Sequence, residues 1–424
     1  MRKKLCVLTL LGSLGFAVGC GSSGSTPAGI PGGGGTSANV LSIAVDGGPT
    51  ANQTNGSIYP NGVFATVTIC APGSSSNCAK VDHLLVDTGS VGVRVLQSAV
   101  SSLNLPAVNA NNGSAAWECV SFVDGSLLWG PVQAATVTLA GETASNVPIQ
   151  VVASSSSNLP SSCSGVNENT VSLLGANGIL GVGLEPVDCP ACDPSQTSTP
   201  IVPAYYSCSS TPCTSQFIND SNQVTNPVVA FPADNNGVIV ELPAVSSSAA
   251  TVTGSLIFGI GTESNNQLAS SANFFNLCAD LFNTIFEGET FGVNPSSCTG
   301  PGSFIDSGSN ALFFPNVNNA ITVCPTKTPA GDLSAFYCPA SPLNLSAVNE
   351  DPTNGTQSPA VNFTVGNAQN LFTGSSTSSN AAFGRLAGPV PAASGFDWGL
   401  PFFYGKNVYT GIDLPNVQTP FWAY

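Results

Sequence analysis

Along this chain, apolar residues fall in short runs that alternate with polar ones or stand between clusters of Gly, Ser, Thr, Asn and Pro. No long stretch carries the period of an amphipathic helix, so the pattern predicts a mostly β protein. Two apolar runs lead into an acidic turn. Val81 to Val95 reads VDHLLVDTGSVGVRV, and Ser303 to Pro315 reads SFIDSGSNALFFP. Each predicts a strand ending at an aspartate, a Gly-containing turn and a further apolar run. Between them, the stretch from Phe122 to Gly130 holds Asp124-Gly125-Ser126, which suits a tight hairpin.

The 424 residues exceed one small core and fit two lobes of about 150–200 residues each. Residues 41–236 are expected to form an N-terminal lobe and 237–424 a C-terminal lobe. At 42% apolar the chain is not generally disordered, and at 7% charged it leaves its turns and strands to Gly, Ser, Thr, Asn and Pro. Eight basic residues against 23 acidic ones give a net charge of −15. Such a surface repels nucleic acid and anionic headgroups, so no nucleic-acid partner is expected.

Arg2-Lys3-Lys4 precedes an apolar stretch, Leu5 to Gly19, that is short for a membrane span. It ends Ala17-Val18-Gly19-Cys20, which resembles a bacterial lipobox. Residues 1–19 are therefore expected to be a signal peptide and Cys20 a lipidated N-terminus. Residues 20–40 would be a Gly/Ser/Pro tether from the membrane. Gly21, not being Asp, points by resemblance to the outer membrane of a Gram-negative cell.

Cys6 would leave with the signal and Cys20 would carry lipid, so twelve of the 14 Cys remain. In an exported chain an even number predicts disulfides, here six. The local pairs Cys70–Cys78, Cys208–Cys213, Cys278–Cys298 and Cys324–Cys338 are the candidates. Cys189-Pro190-Ala191-Cys192 lacks the further ligands a structural zinc needs, with a single His in the chain, so no metal and no cofactor are expected.

The two aspartate turns carry the candidate chemistry. Asp87-Thr88-Gly89-Ser90 and Asp306-Ser307-Gly308-Ser309 share the order Asp, hydroxyl, Gly, Ser. One such turn is common; two with matching flanks indicate a duplicated lobe. Hydrolysis of a peptide by water needs a general base and a general acid. Two carboxyls about 3 Å apart cannot both ionise, so they share one proton and supply both roles. Gly89 and Gly308 allow close backbone approach. The hydroxyls of Thr88, Ser90, Ser307 and Ser309 can fix the carboxylates or the opposing loop.

These motifs resemble the pepsin-like aspartic peptidases from about Asn61 onward. Asn61 to Ile69 is similar to the family's strand leading toward the first Asp. Gly178-Ile179-Leu180-Gly181-Val182-Gly183 is similar to the segment that crosses beneath the first catalytic loop. Gly254 to Gly259 resembles the strand opening the C-terminal lobe, and Trp398 to Asp413 the second crossing segment. The chain also resembles a bacterial group of exported lipoproteins with pepsin-like aspartate motifs. The resemblance implies a bilobal acid protease fold, two pseudo-twofold-related barrel-like lobes with a cleft between them. It implies Asp87 and Asp306 as the catalytic pair and a peptide or protein as substrate. A monomer is expected, because one chain supplies both aspartates.

Several positions depart from that family. Phe122 falls where the family's flap has Tyr, with Trp129 a candidate substitute. Together with Asp124, Gly125 and Ser126 these form the expected substrate flap. Arg94 aligns with the Trp that braces the flap Tyr, and within reach of Asp87 it would favour the ionised carboxylate. Pro401 takes the place of the second crossing Gly. His83, the only His, is expected on the same side of its strand as Asp87 and to be a satisfied strand residue. Phe274-Phe275 and Leu281-Phe282 are expected in the core. Two functions follow: an aspartic endopeptidase at the cell envelope, or a pepsin-like scaffold that binds peptides, glycans or a protein without cutting.

Overall fold

In the computed structural model, the described residues are 37–49, 58–195, 203–209, 212–328, 331–373, 380–391 and 393–424. The signal, Cys20 and nearly all of the tether lie outside them. The chain is mostly β, as the pattern predicts. The α-helices among the described residues are Gln97–Val100, Val171–Leu174 and Ala368–Thr373, each little more than one turn.

One strand plan occurs twice. In the first half, Phe64–Cys70 runs antiparallel to Cys78–Asp87, whose end is the first aspartate. The chain turns at Thr88-Gly89-Ser90 and leaves along Val91–Leu96. The strand Gly178–Val182 then returns between these two, parallel to the first and antiparallel to the second. In the second half, Phe304–Ile305 enters the other aspartate loop and Leu312–Pro315 leaves near it. Asp397–Trp398 pairs parallel with the former and antiparallel with the latter. Even the outer neighbour is reproduced. Val91–Leu96 pairs parallel with Glu142–Val152, and Leu312–Pro315 parallel with Ala387–Val390.

Among the described residues, a continuous sheet of 16 strands ties the halves together. Val40–Val45 pairs with Phe64–Cys70 on one side and with Val252–Phe258 on the other. Gly237–Leu242 lies between Val252–Phe258 and Lys406–Gly411. The boundary expected at 236/237 thus falls where a strand of the shared sheet begins.

The aspartate strands are buried on both faces, which is why they read as near-continuous apolar runs. Leu84, Val86, Leu180 and Val182 are fully buried in one half, and Ile305, Phe313, Phe314 and Trp398 in the other. Of the Phe/Leu cluster, Phe275 and Phe282 are buried in the core, but Phe274 is exposed and Leu281 faces a cavity described below.

Six disulfides are present among the described residues. The four expected local pairs are among them. Cys189–Cys192 closes on itself, and Cys119–Cys163 spans 44 residues. Closing a longer loop removes more entropy from the unfolded chain. Replacing Cys119 and Cys163 together by Ser is therefore expected to cost about 4 kcal/mol, against about 2.5 for the pair Cys70–Cys78. Denaturant unfolding of the two double variants checks the ranking.

Candidate active site

Asp87 closes its strand, and Asp306 directly follows Phe304–Ile305. Both are buried to within 2%. Each carboxylate is held by its own loop. Asp87 Oδ1 accepts from the Gly89 amide at 2.8 Å, and Asp87 Oδ2 accepts from the Ser90 hydroxyl. Asp306 Oδ1 accepts from the Gly308 amide at 2.7 Å, and Asp306 Oδ2 accepts from Ser309 Oγ at 3.2 Å.

The second residue of each loop grips the other loop. The Thr88 amide donates to Ser307 Oγ at 3.1 Å, and the Ser307 amide donates to Thr88 Oγ1 at 3.0 Å. Each hydroxyl then donates onward to a carbonyl of the opposite strand. Ser307 Oγ reaches Val86 O at 2.7 Å, and Thr88 Oγ1 reaches Ile305 O at 3.4 Å. All these groups are buried, so each bond also prevents an unsatisfied polar atom.

The glycines show how close the carboxyls come. A methyl on Gly308 would sit 2.7 Å from Asp87 Oδ1, and one on Gly89 would overlap the Asp306 carboxyl. Each aspartate therefore rests on the other loop's glycine, and both carboxyls converge on one place.

A third carboxyl stands beside them, one the motif reading missed. Trp398 pairs with Ile305 as Leu180 pairs with Val86, so Asp397 occupies the place of Ile179. Asp397 is 1% exposed, and its Oδ2 is hydrogen-bonded to Ser309 Oγ at 2.6 Å. Burial, then the charge of Asp306 and more weakly that of Asp87, push Asp397 well above the usual carboxylate range despite the Ser309 bond. The signal in the sequence was a carboxyl inside an otherwise apolar crossing strand. The same register moves the second crossing glycine. Gly399 follows Trp398 as Gly181 follows Leu180, and a Cβ on it would strike Ala311 O. Pro401 therefore replaces no glycine; it lies in the turn Leu400–Phe402.

Above the loops opens a cavity of about 330 Å³. Thr88 and Gly89 of the first aspartate loop and Asp397 of the second crossing strand contribute to it, and Val123, Leu184, Leu281, Phe304, Val390 and Trp422 give it apolar walls. Glu185 and Asp280 also line it. Among the described residues, no group of three or more His, Cys, Asp or Glu side chains could hold a metal ion.

The flap residues fall differently from expectation. Asp124, Gly125 and Ser126 do make the hairpin turn. The Ser126 amide donates to Asp124 Oδ1 at 2.8 Å, and Gly125 adopts φ +88°. Phe122, however, packs inward with Tyr59, Phe64, Leu85 and Leu128, and Val123 is the residue that reaches the cavity. Trp129 is fully buried against Trp117 and Tyr206, so it substitutes for no flap Tyr.

Arg94 also turns away from the aspartates. Its guanidinium donates to Glu118 Oε1 at 2.7 Å, to Asp188 Oδ2 at 2.9 Å and to Val91 O. Tyr205 donates to Asp188 Oδ1 at 2.6 Å. Burial would pull the guanidinium down, but Glu118 and Asp188 outweigh it and hold Arg94 above its ordinary value. Burial and then Glu118 push Asp188 well above the carboxylate range, against the pull of Arg94 and Tyr205. Arg94 thus anchors the flap strand Ala116–Ser121 through Glu118. His83 adopts φ 50°, which breaks the expected alternation, and it bonds Asp82 at 2.6 Å and Asp46 at 3.2 Å.

Glu168 lies beside the flap turn, its amide donating to Leu127 O. Burial, then the Asp124 charge, push its carboxyl up to about 8. Because the folded value lies above the unfolded one, this contribution to stability is complete below about pH 4.5 and is lost as pH rises through about 8. Glu168→Gln is therefore expected to stabilise the protein by up to a few kcal/mol near pH 9 and by little near pH 4. Urea unfolding at both values measures the difference.

No curated protein matches the chain. Among solved structures, it is similar to an aspartic proteinase from Irpex lacteus at 16% sequence identity and a TM-score of 0.47, over 91% of this chain and 96% of that one. A family model described as a protein of unknown function, DUF3443, matches residues 35–424, and the chain belongs to that family.

Proposed function

We propose that the protein is an aspartic endopeptidase that cuts extended peptides laid across the Asp87–Asp306 pair. One observation carries this reading: two buried aspartate loops grip each other reciprocally and bring both carboxyls to one point, and Thr88 and Gly89 of the first loop line an apolar-walled cavity. With one proton between them, the ionised carboxyl draws a proton from a water while the protonated one hydrogen-bonds the scissile carbonyl. The proton taken from water then passes to the leaving nitrogen. Fixed amide and hydroxyl donors keep both carboxyls in place, so little reorganisation is needed during the reaction.

The cavity walls suit an apolar side chain beside the scissile bond. We place the enzyme at the cell envelope, held as a monomer by lipid on Cys20. One observation favours binding without cutting. The flap presents Val123 to the cavity, an apolar side chain with no hydroxyl to orient the substrate.

Calorimetry with a statine-type peptide, whose hydroxyl mimics the tetrahedral intermediate, separates the two. The peptidase reading expects binding at about pH 4 that weakens at least tenfold in Asp306→Asn. Equal affinity for the mimic and for a plain peptide, unchanged in Asp306→Asn, would favour the binding protein.

A further inference from the structure

Two serines occupy matching places in the loops, but their surroundings differ. Ser90 donates to Asp87, and the first crossing strand carries Ile179 at the register position of Asp397. Ser309 has a carboxyl oxygen on either side, Asp306 Oδ2 at 3.2 Å and Asp397 Oδ2 at 2.6 Å. A hydroxyl has one proton and cannot donate to both. We propose that Asp397 is a positioning residue of the active site, which donates a hydrogen bond to Ser309 Oγ and thereby directs the Ser309 proton onto Asp306.

The geometry supports this direction of donation. An ionised Asp397 would need donors for two oxygens. Its Oδ1 has no hydrogen-bond partner and the residue is 1% exposed. A neutral carboxyl leaves Oδ1 a carbonyl oxygen, which is far cheaper to bury unpaired. The charged groups facing Asp397 all oppose its ionisation. Asp306 stands on the adjoining loop and Asp87 on the opposing one. Leu312–Pro315, packed against it, offers Phe313. Glu185 and Asp280, which line the same cavity, are acids too.

The consequence is an ordered chain, Asp397 to Ser309 to Asp306. It holds Ser309 by both its lone pair and its proton, and a hydroxyl that accepts a hydrogen bond becomes a stronger donor. Asp306 is thereby favoured in its ionised form. The first half, with Ile179, has no such relay.

The proposal rests on the peptidase reading for its effect on catalysis, and the test separates the two. The acid limb of kcat/KM reports protonation of the ionised dyad carboxyl. Asp397→Ile, which installs the residue of the first half, removes the donor. It is expected to move that limb up by about half a pH unit. Asp397→Asn keeps an N–H for Ser309 and is expected to leave the limb where wild type has it, whatever its maximal rate. If Asp397 were instead ionised, both variants would lose a negative charge beside Asp306 and both limbs would move down. That result, or no movement in Asp397→Ile, overturns the proposal.

Infrared spectroscopy reads the same group without turnover. The proposal expects the protonated-carboxyl absorption of Asp87→Asn at about pH 6 to lose one component when Asp397→Asn is added, the components of Glu168 and Asp188 being common to both variants. Identical absorption in the two variants, with no component lost, overturns the proposal. With that component lost and no variant turning over, the peptidase reading falls while the Asp397–Ser309 hydrogen bond stands.

Discussion

Asp87→Asn and Asp306→Asn are each expected to lower kcat/KM for peptide cleavage by about a thousandfold or more, because each removes one partner of a shared-proton pair. An amide can accept the hydrogen bond of the Gly89 or Gly308 N–H, but it cannot take a proton from water or give one to a leaving group. The fold should survive both changes. The loops are held chiefly by Thr88 and Ser307, whose bonds to each other and to Val86 and Ile305 do not involve the carboxyls. Thermal unfolding near wild type, together with lost turnover, is the expected pair of results. The wild-type pH profile should be bell-shaped, and its two apparent values belong to the pair rather than to either residue. Full turnover in either variant would place the reaction elsewhere.

Arg94→Met should have the largest effect on stability. Arg94 is 1% exposed, and Glu118 and Asp188 both point their oxygens at it. Methionine fills much of the volume but leaves two buried carboxyls with no cation. Removing one partner of a buried ion pair costs about 3–5 kcal/mol near neutral pH. The cost should shrink in acid, where Asp188 can become neutral. Asp188 already leans that way, driven first by burial. Guanidinium unfolding of Arg94→Met and wild type at about pH 7 and pH 3.5 is expected to show a gap that narrows at the lower value. Glu118 belongs to the flap strand, so the same variant should raise KM more than it lowers kcat. An equal loss at both pH values would mean that packing, not charge, makes Arg94 important.

The parts of this arrangement that sequence patterns reveal are the parts that repeat. Asp87-Thr88-Gly89-Ser90 and Asp306-Ser307-Gly308-Ser309 announce themselves because hydroxyl, glycine and serine are each required by a specific contact. The crossing strand Gly178–Val182 is legible for a similar reason: its glycines lie against backbone that a Cβ would enter. Local disulfides follow from proximity in the chain. What sequence spacing could not give was side-chain direction. Arg94 lies seven residues after Asp87 on a strand flanking the site, yet it points to Glu118 and Asp188, which are remote in sequence. Phe122 occupies the expected flap position, but the twist of the hairpin turns it into the core and brings Val123 to the cavity. Asp397 was hidden by its neighbour. Trp398-Gly399-Leu400 drew the comparison with a crossing segment, and the acid before it became meaningful only through the pairing of Trp398 with Ile305.

Digestion of an unfolded protein by the purified, fully oxidised chain, followed by mass spectrometry from about pH 2 to pH 7, tests the central claim most directly. The account predicts internal cleavage, fastest on the acid side of neutral, beside apolar residues, blocked by a statine-type peptide and absent from Asp87→Asn and Asp306→Asn prepared alongside. No cleavage by wild type at any pH, or cleavage that the Asn variants reproduce, would contradict it.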